Sequence, residues 1–295
     1  MNTTLDNGTL AITVATHGAE LQSLRKAGHE YLWQGDARYW GRRSPVLFPM
    51  VGRVWGDAFR VDGHSYPMGQ HGFARDSEFS RISPDGADTL VYELRSNPDT
   101  LARFPYRFAL RISYRLEASS LIVRWDVENI GTRELPFQIG AHPAFYLPDF
   151  DPQAPLRGYF AFDSHQPLLC ISPAERGCVS PHHTTVPVDA RGMLPIDAHT
   201  FDCDTYAIDD CQLHSVSLLD AGRRPYISVR FDAPIVALWA PTATKPDCPF
   251  VCIEPWYGCA DTVGYDGDWT HRRHMNHIPP ATTFSASYRI TIHRP

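Results

Sequence analysis

The amino-acid sequence predicts an all-β fold of packed antiparallel sheets. Three observations carry that reading. Apolar residues recur with period two rather than 3.6, the runs are short and rich in β-branched and aromatic residues, and no capped amphipathic helix of ordinary length interrupts them. In chain order the runs are LAITVATHG (10–18), TLVYELRS (89–96), FALRISYRLEASSLIVRWDVENIG (108–131), HSVSLLD (214–220), PYISVRFD (225–232), IVALWAP (235–241), FVCIEPW (250–256) and FSASYRITIHR (284–294), each broken by Gly, Asp, Asn or Pro. Within the longest, two alternating strands meet at EASS (117–120), the pattern of a hairpin. The 25 prolines gather in connections such as LPDFDPQAPLRG (147–158) and ISPAERGCVSPHH (171–183), which are expected to be long surface loops over a sheet scaffold. No internal repeat or low-complexity linker divides the chain. One domain over residues 1–295 is the simplest expectation, although the length allows two.

Composition narrows the function classes. With 33 acidic against 27 basic residues the formal charge is −6, which disfavours nucleic acid as a partner. The N-terminus MNTTLDNGTLAITV has no basic n-region, and no run reaches the ~18–20 apolar residues of a membrane-spanning helix, so a cytoplasmic chain without a membrane partner is expected. Seven cysteines, an odd count, read as free thiols rather than a disulfide framework.

Polar chemistry concentrates in four segments at strand ends or Gly/Pro turns. SPVLFPMVGRVWG carries Arg53, MGQHGFARD carries His71 and Arg75, IGAHPAFYLP carries His142, and PFVCIEPWYGCAD carries Glu254 beside Trp256. Such positions are where a rigid scaffold presents functional groups. Glu254 interrupts an otherwise apolar run, so partial desolvation should raise its pKa toward the range of a base acting near neutrality. His142 follows an apolar run that ends at Gly140 and precedes Pro143, which restricts the backbone beside it.

These segments, together with HGAELQSL (17–24) and EYLWQGDARYW (30–40), resemble the aldose 1-epimerase (galactose mutarotase) family, in its short bacterial branch, over nearly the whole chain. The resemblance implies a large antiparallel β-sandwich of the galactose mutarotase-like type, a sugar substrate, no metal and no organic cofactor. It implies a glutamate that takes the proton of the anomeric hydroxyl, matched by Glu254, and a histidine that protonates the ring oxygen, matched by His142. A second histidine assisting at the ring oxygen falls on His71, and a ligand-contacting arginine on Arg53. The sugar-hydroxyl aspartate falls on Asp204, with Asp202 two residues away as the alternative.

Physical chemistry runs parallel to the resemblance. Opening a hemiacetal removes a proton at O1 and adds one at O5, so a carboxylate and an imidazolium facing each other across one ring suit the reaction. Phe137, Phe145 and Trp256 are the expected aromatic walls against the C–H faces of a pyranose. Two alternatives stay open: a hexose 6-phosphate substrate, drawing on Arg42, Arg43 and Arg75, and a sugar-binding or sugar-sensing module without catalysis. Either a monomer or a homodimer is compatible with the sequence. The histidines of HRRHMNH (271–277), even with Cys248, Cys252 and Cys259 upstream, match none of the usual zinc-ligand spacings. The glycines of MVGRVWGDAF are not a phosphate loop, because the order of a P-loop and its following helix are both missing.

Overall fold

A computed structural model describes residues 1–294. Antiparallel strands dominate it, arranged in two large sheets and three smaller ones. The nine-stranded sheet has its centre in the hairpin expected from sequence. Phe108–Glu117 and Ser120–Asn129 pair in unbroken register from Phe108 opposite Asn129 to Glu117 opposite Ser120. The two-residue turn between them places Ala118 at a φ of 48°, the left-handed geometry that tight hairpins use. Thr283–Ile292 and Pro225–Phe231 extend the sheet on one side, and Thr89–Arg95 on the other. Inward-facing Leu110, Ile112, Tyr114, Val123, Trp125 and Val127 alternate with polar residues and are 4% exposed or less, the half-buried pattern of a sheet with one face on the core.

The eight-stranded sheet carries the chemistry. Its order runs Val179–Thr185, Leu169–Pro173, Thr205–Ile208, Ile235–Trp239, Phe250–Tyr257, Ile139–Ala141 and Val46–Leu47, and Ala144–Tyr146 also pairs with Phe250–Tyr257. Phe250–Tyr257 is central and buried on both faces, apart from Tyr257 at its end, which explains its near-continuous apolar sequence.

One expectation fails here. ISPAERGCVSPHH is not a loop: it forms most of the hairpin Leu169–Pro173 and Val179–Thr185, closed by a short 3-10 turn at Glu175–Gly177. It lies at the sheet edge, where proline's missing N–H is tolerated and little is buried. One short helix, Pro98–Arg103, is also present, set by a reciprocal cap between Asn97 and Thr100 with Pro98 in the first turn. The other proline-rich segment, Leu147–Gly158, does connect strands without regular structure of its own before Gly158. Among the described residues no helix is long and apolar enough to cross a membrane.

Candidate active site

Strand Phe250–Tyr257 sends Cys252, Glu254 and Trp256 to one face, because side chains alternate along a strand. On one side Glu254 stands opposite Ala237, and Ala237 opposite Ala207 on the next strand. Short side chains along that row leave room above the sheet. On the other side Gly140 pairs with Trp256 and Ala144 with Cys252 in a register that continues through the interruption at His142 and Pro143. His142 therefore stands directly across from Glu254. Pro143 removes a ladder donor without shifting the register, and its carbonyl still accepts from Ile253 N at 3.3 Å. The backbone of the interrupted strand is held from its other side too: His142 N donates to Pro45 O, and Ala144 N to Arg43 O. Gly140 is required by close packing, since a Cβ there would lie 2.7 Å from Trp256 Cδ1.

These groups open onto a cavity of about 290 Å³, a volume that suits one small ligand such as a pyranose. The His142 ring is stacked against Trp40 at 4.7 Å between centroids and meets Trp239 edge-on at 5.5 Å, so its orientation is fixed by packing. Opposite lies His71, its ring 5.7 Å from that of His142. His71 has a φ of 65°, uncommon for a non-glycine residue. Gly52 holds it twice: His71 N donates to Gly52 O at 2.7 Å, and Gly52 N donates to His71 Nδ1 at 3.1 Å. Because Nδ1 accepts, the neutral ring carries its proton on Nε2, where it is free to donate. Asp204 accepts from Trp239 Nε1 at 3.1 Å, and Arg75 lies beyond His71.

Burial sets the electrostatics. Glu254 is 1% exposed, and desolvation pushes its carboxyl well above the usual range. His142 is 8% exposed and is pushed down from 6.5 to about 3, by desolvation first and then by Arg75. His71 moves well below its ordinary value for the same first reason, with His142 next. His142 Nε2 and Glu254 Oε2 are 3.3 Å apart. In the unliganded cavity the pair thus favours its neutral form, one proton on the carboxyl and none added to the ring. Glu254 Oε2, His142 Nδ1 and Trp256 Nε1 are all buried without a hydrogen-bond partner. Buried polar atoms are rarely left so, and three at one cavity mark a place for a polar ligand.

Of the site residues named from the sequence, Glu254, His142, His71, Asp204 and Trp256 line one cavity. Arg53 is not among the lining residues; its Nε lies 3.5 Å from Asp57 without a hydrogen-bond partner, and the arginine in the lining is Arg75. Asp202 does not line it either and pairs with His199 at 3.1 Å. Phe137 and Phe145 are fully buried in the core rather than forming walls. The aromatic walls are Trp40, Trp239 and Trp256, with the hairpin residues Ile171, Pro173 and Val179 closing one side. Trp40 and Trp239 were visible in the sequence only as members of aromatic runs.

A buried network supports the loops around this cavity. Arg272, from HRRHMNH, is 4% exposed; its Nε donates to Asp261 Oδ1 at 2.5 Å and its Nη2 to Cys259 O at 3.0 Å. Asp261 in turn accepts from Trp55 N and donates through its own N–H to Arg53 O. His277 of the same segment pairs with Glu134, and His274 contacts Asp209, which also pairs with Arg273. Among the described residues, two groups of side chains have metal-ligating atoms within 4.8 Å of one another: Asp209, Asp210 and His274, and His142, Cys252 and Glu254, of which His142 and Glu254 line the cavity.

The family model described as aldose 1-epimerase matches residues 1–264. The chain is similar to the chromosomal protein LacX of Lactococcus lactis subsp. lactis, at 28% identity with 99% of each chain covered. It is similar to the solved structure of a galactose mutarotase related enzyme from Lactobacillus acidophilus, at 30% identity and a TM-score of 0.90, with 100% of this chain and 98% of that one covered. A galactose mutarotase-like protein from Lactobacillus casei is similar at 26% identity and a TM-score of 0.92, with 99% and 100% covered.

Proposed function

The chain belongs to the aldose 1-epimerase family, and from that premise we propose that it interconverts the α and β anomers of a free hexose by acid-base opening and reclosure of the ring. The observation that carries this reading is the register pair: Glu254 and His142 face each other from adjacent strands at a cavity sized for one sugar, with buried polar atoms awaiting partners.

The proton balance gives the electrostatics a purpose. Ring opening proceeds from the form of the pair in which its one proton has passed from Glu254 to His142: the O1 proton then moves to Glu254 and the His142 proton to O5. O1 becomes a carbonyl oxygen and O5 a hydroxyl, and the enzyme is left with a protonated carboxyl and a neutral ring. That is the state burial favours. The two transfers return the pair to its resting protonation state, and rotation about C1–C2 before the reverse transfers yields the other anomer. His71, with its proton on Nε2, donates a further hydrogen bond at the ring oxygen side. Trp40, Trp239 and Trp256 exclude water and pack on the sugar's C–H faces.

A hexose 6-phosphate is the second reading, because Arg75 lines the cavity with its Nε unpartnered and Arg42 stands close by. Burial, then Arg42, lowers Arg75 to about 10, still charged at neutrality. Against it, Arg42 is already held by Asp76 at 2.9 Å and Arg43 by Gln22, and Arg75 itself gives Nη2 to Gln70 O at 2.6 Å and lies 3.8 Å from Asp76, whereas a dianion calls for two free guanidinium groups. Exchange NMR between anomers of glucose, galactose and glucose 6-phosphate tests both. Faster exchange for the free sugars supports the proposal, a kcat/KM about ten times higher for the phosphate favours the second reading, and binding without exchange removes both.

A further inference from the structure

We propose that His142 and Glu254, which line the cavity, together with the fully buried Cys252 form a binding site for a thiophilic divalent cation such as Zn²⁺, and that metal and sugar exclude one another there. The established family membership gives Cys252 no part in the chemistry, yet the strand places it two residues from Glu254 on the same face. Its register partner is Ala144, two residues beyond His142. One nitrogen, one sulfur and one carboxylate oxygen thus lie within 4.8 Å of one another, all buried. Tetrahedral zinc wants such donors roughly 3.3–3.8 Å apart, and His142 Nε2 to Glu254 Oε2 already measures 3.3 Å. Small rotations of the thiol complete the triangle.

Two further observations point to a ligand. Glu254 Oε2 is buried and without a hydrogen-bond partner, and the cavity offers a fourth coordination position to water. Charge also balances. The metal displaces one proton from the Cys252 thiol and one from the Glu254 carboxyl, both released to solvent, so carboxylate, thiolate and neutral imidazole offset the two positive charges without any redox change. The other group with clustered donors, around Asp209, lacks this balance, because the Arg273 guanidinium already occupies that carboxylate. A metal held by these three residues takes lone pairs of both Glu254 and His142, so neither remains available for proton transfer.

Cobalt titration of the full chain tests the site independently of any epimerase activity. The exposed Cys203 and Cys211 are first replaced by serine to remove surface thiols. One equivalent of Co²⁺ should then produce a near-ultraviolet thiolate-to-cobalt band with the visible bands of tetrahedral cobalt, and Zn²⁺ should displace it. Cys252→Ala should abolish the thiolate band and weaken metal affinity roughly tenfold or more. Cys252→Ser, closer in volume, should do the same if the alanine variant folds poorly. Zn²⁺ should inhibit anomer exchange competitively with sugar, with activity restored by a chelator. Absence of a thiolate band, or a band that survives both Cys252 variants, overturns the proposal.

Discussion

Replacing His142 by asparagine should change how stability depends on pH. The native site holds this imidazole at about 3, whereas the unfolded chain protonates it near 6.5. A group whose folded pKa is depressed contributes stability above its unfolded pKa and loses it as pH falls toward the folded value. Between pH 7 and pH 4 the unfolded state takes up a proton that the native state refuses. With 1.36 kcal/mol per pKa unit, the loss at pH 4 is about 3 kcal/mol. Asparagine fills similar space and does not titrate, so His142→Asn lacks this term. The ion-paired Asp209 and Asp220 are common to both proteins and cancel in the comparison, whereas His71 is depressed by burial and then by His142, so the substitution relieves it and moves the difference in the same direction. The assay is urea denaturation of both proteins at pH 7, 6, 5 and 4, following the difference in unfolding free energy. That difference should shift by about 3 kcal/mol in favour of the variant on acidification. A difference that stays flat, or shifts the other way, would mean the imidazole keeps its proton beside an ionised Glu254 and would refute the neutral-pair assignment.

The kcat/KM profile should be a broad bell whose active form carries one proton on the Glu254–His142 pair: the acid limb falls toward pH 3, where His142 gains a second proton, and the alkaline limb lies where the raised Glu254 carboxyl ionises; a sharp optimum with an acid limb near 6.5 would contradict it. Glu254→Gln should become more stable than the parent as pH rises, since a raised carboxyl contributes stability below its unfolded pKa and loses it as pH passes the folded value; melting temperatures that rise in parallel from pH 6 to 9 would argue against this. Arg272→Met should cost on the order of 3–5 kcal/mol by stranding Asp261 in a buried network, measured by denaturant unfolding, and a loss below about 1 kcal/mol would show that the network does not brace the site loops. Gly140→Ala should displace Trp256 and cost about 1–3 kcal/mol through overpacking, with weakened sugar binding visible by tryptophan fluorescence; unchanged stability and binding would remove the close-packing argument.

Much of the scaffold was legible because its strands bury alternate residues, as in the Phe108–Glu117 and Ser120–Asn129 hairpin. The edge strand Val179–Thr185 was not, because it buries almost nothing and tolerates Pro181. Glu254 stood out as a charge in an apolar run, and Trp256 beside it. Its juxtaposition with His142 was invisible without the pairing register, since the partners lie 112 residues apart in sequence. The same limit applies to the arginines: Arg53 and Arg75 both sit in polar turns beside an aspartate, and only the fold shows that Arg75 lines the cavity. Phe137 and Phe145 flank His142 in sequence but lie in the core, whereas Trp40 reaches His142 from a loop about a hundred residues away.

The central claim, that Glu254 moves the anomeric proton, is tested most directly by anomer exchange NMR on Glu254→Gln with sugar binding measured alongside. The amide keeps the shape of the carboxyl but cannot take up the O1 proton. The account predicts a kcat lower by about 100-fold or more with sugar affinity changed little. A variant that binds sugar and retains more than about a tenth of the parent kcat would contradict it, because general-base removal typically costs at least 100-fold.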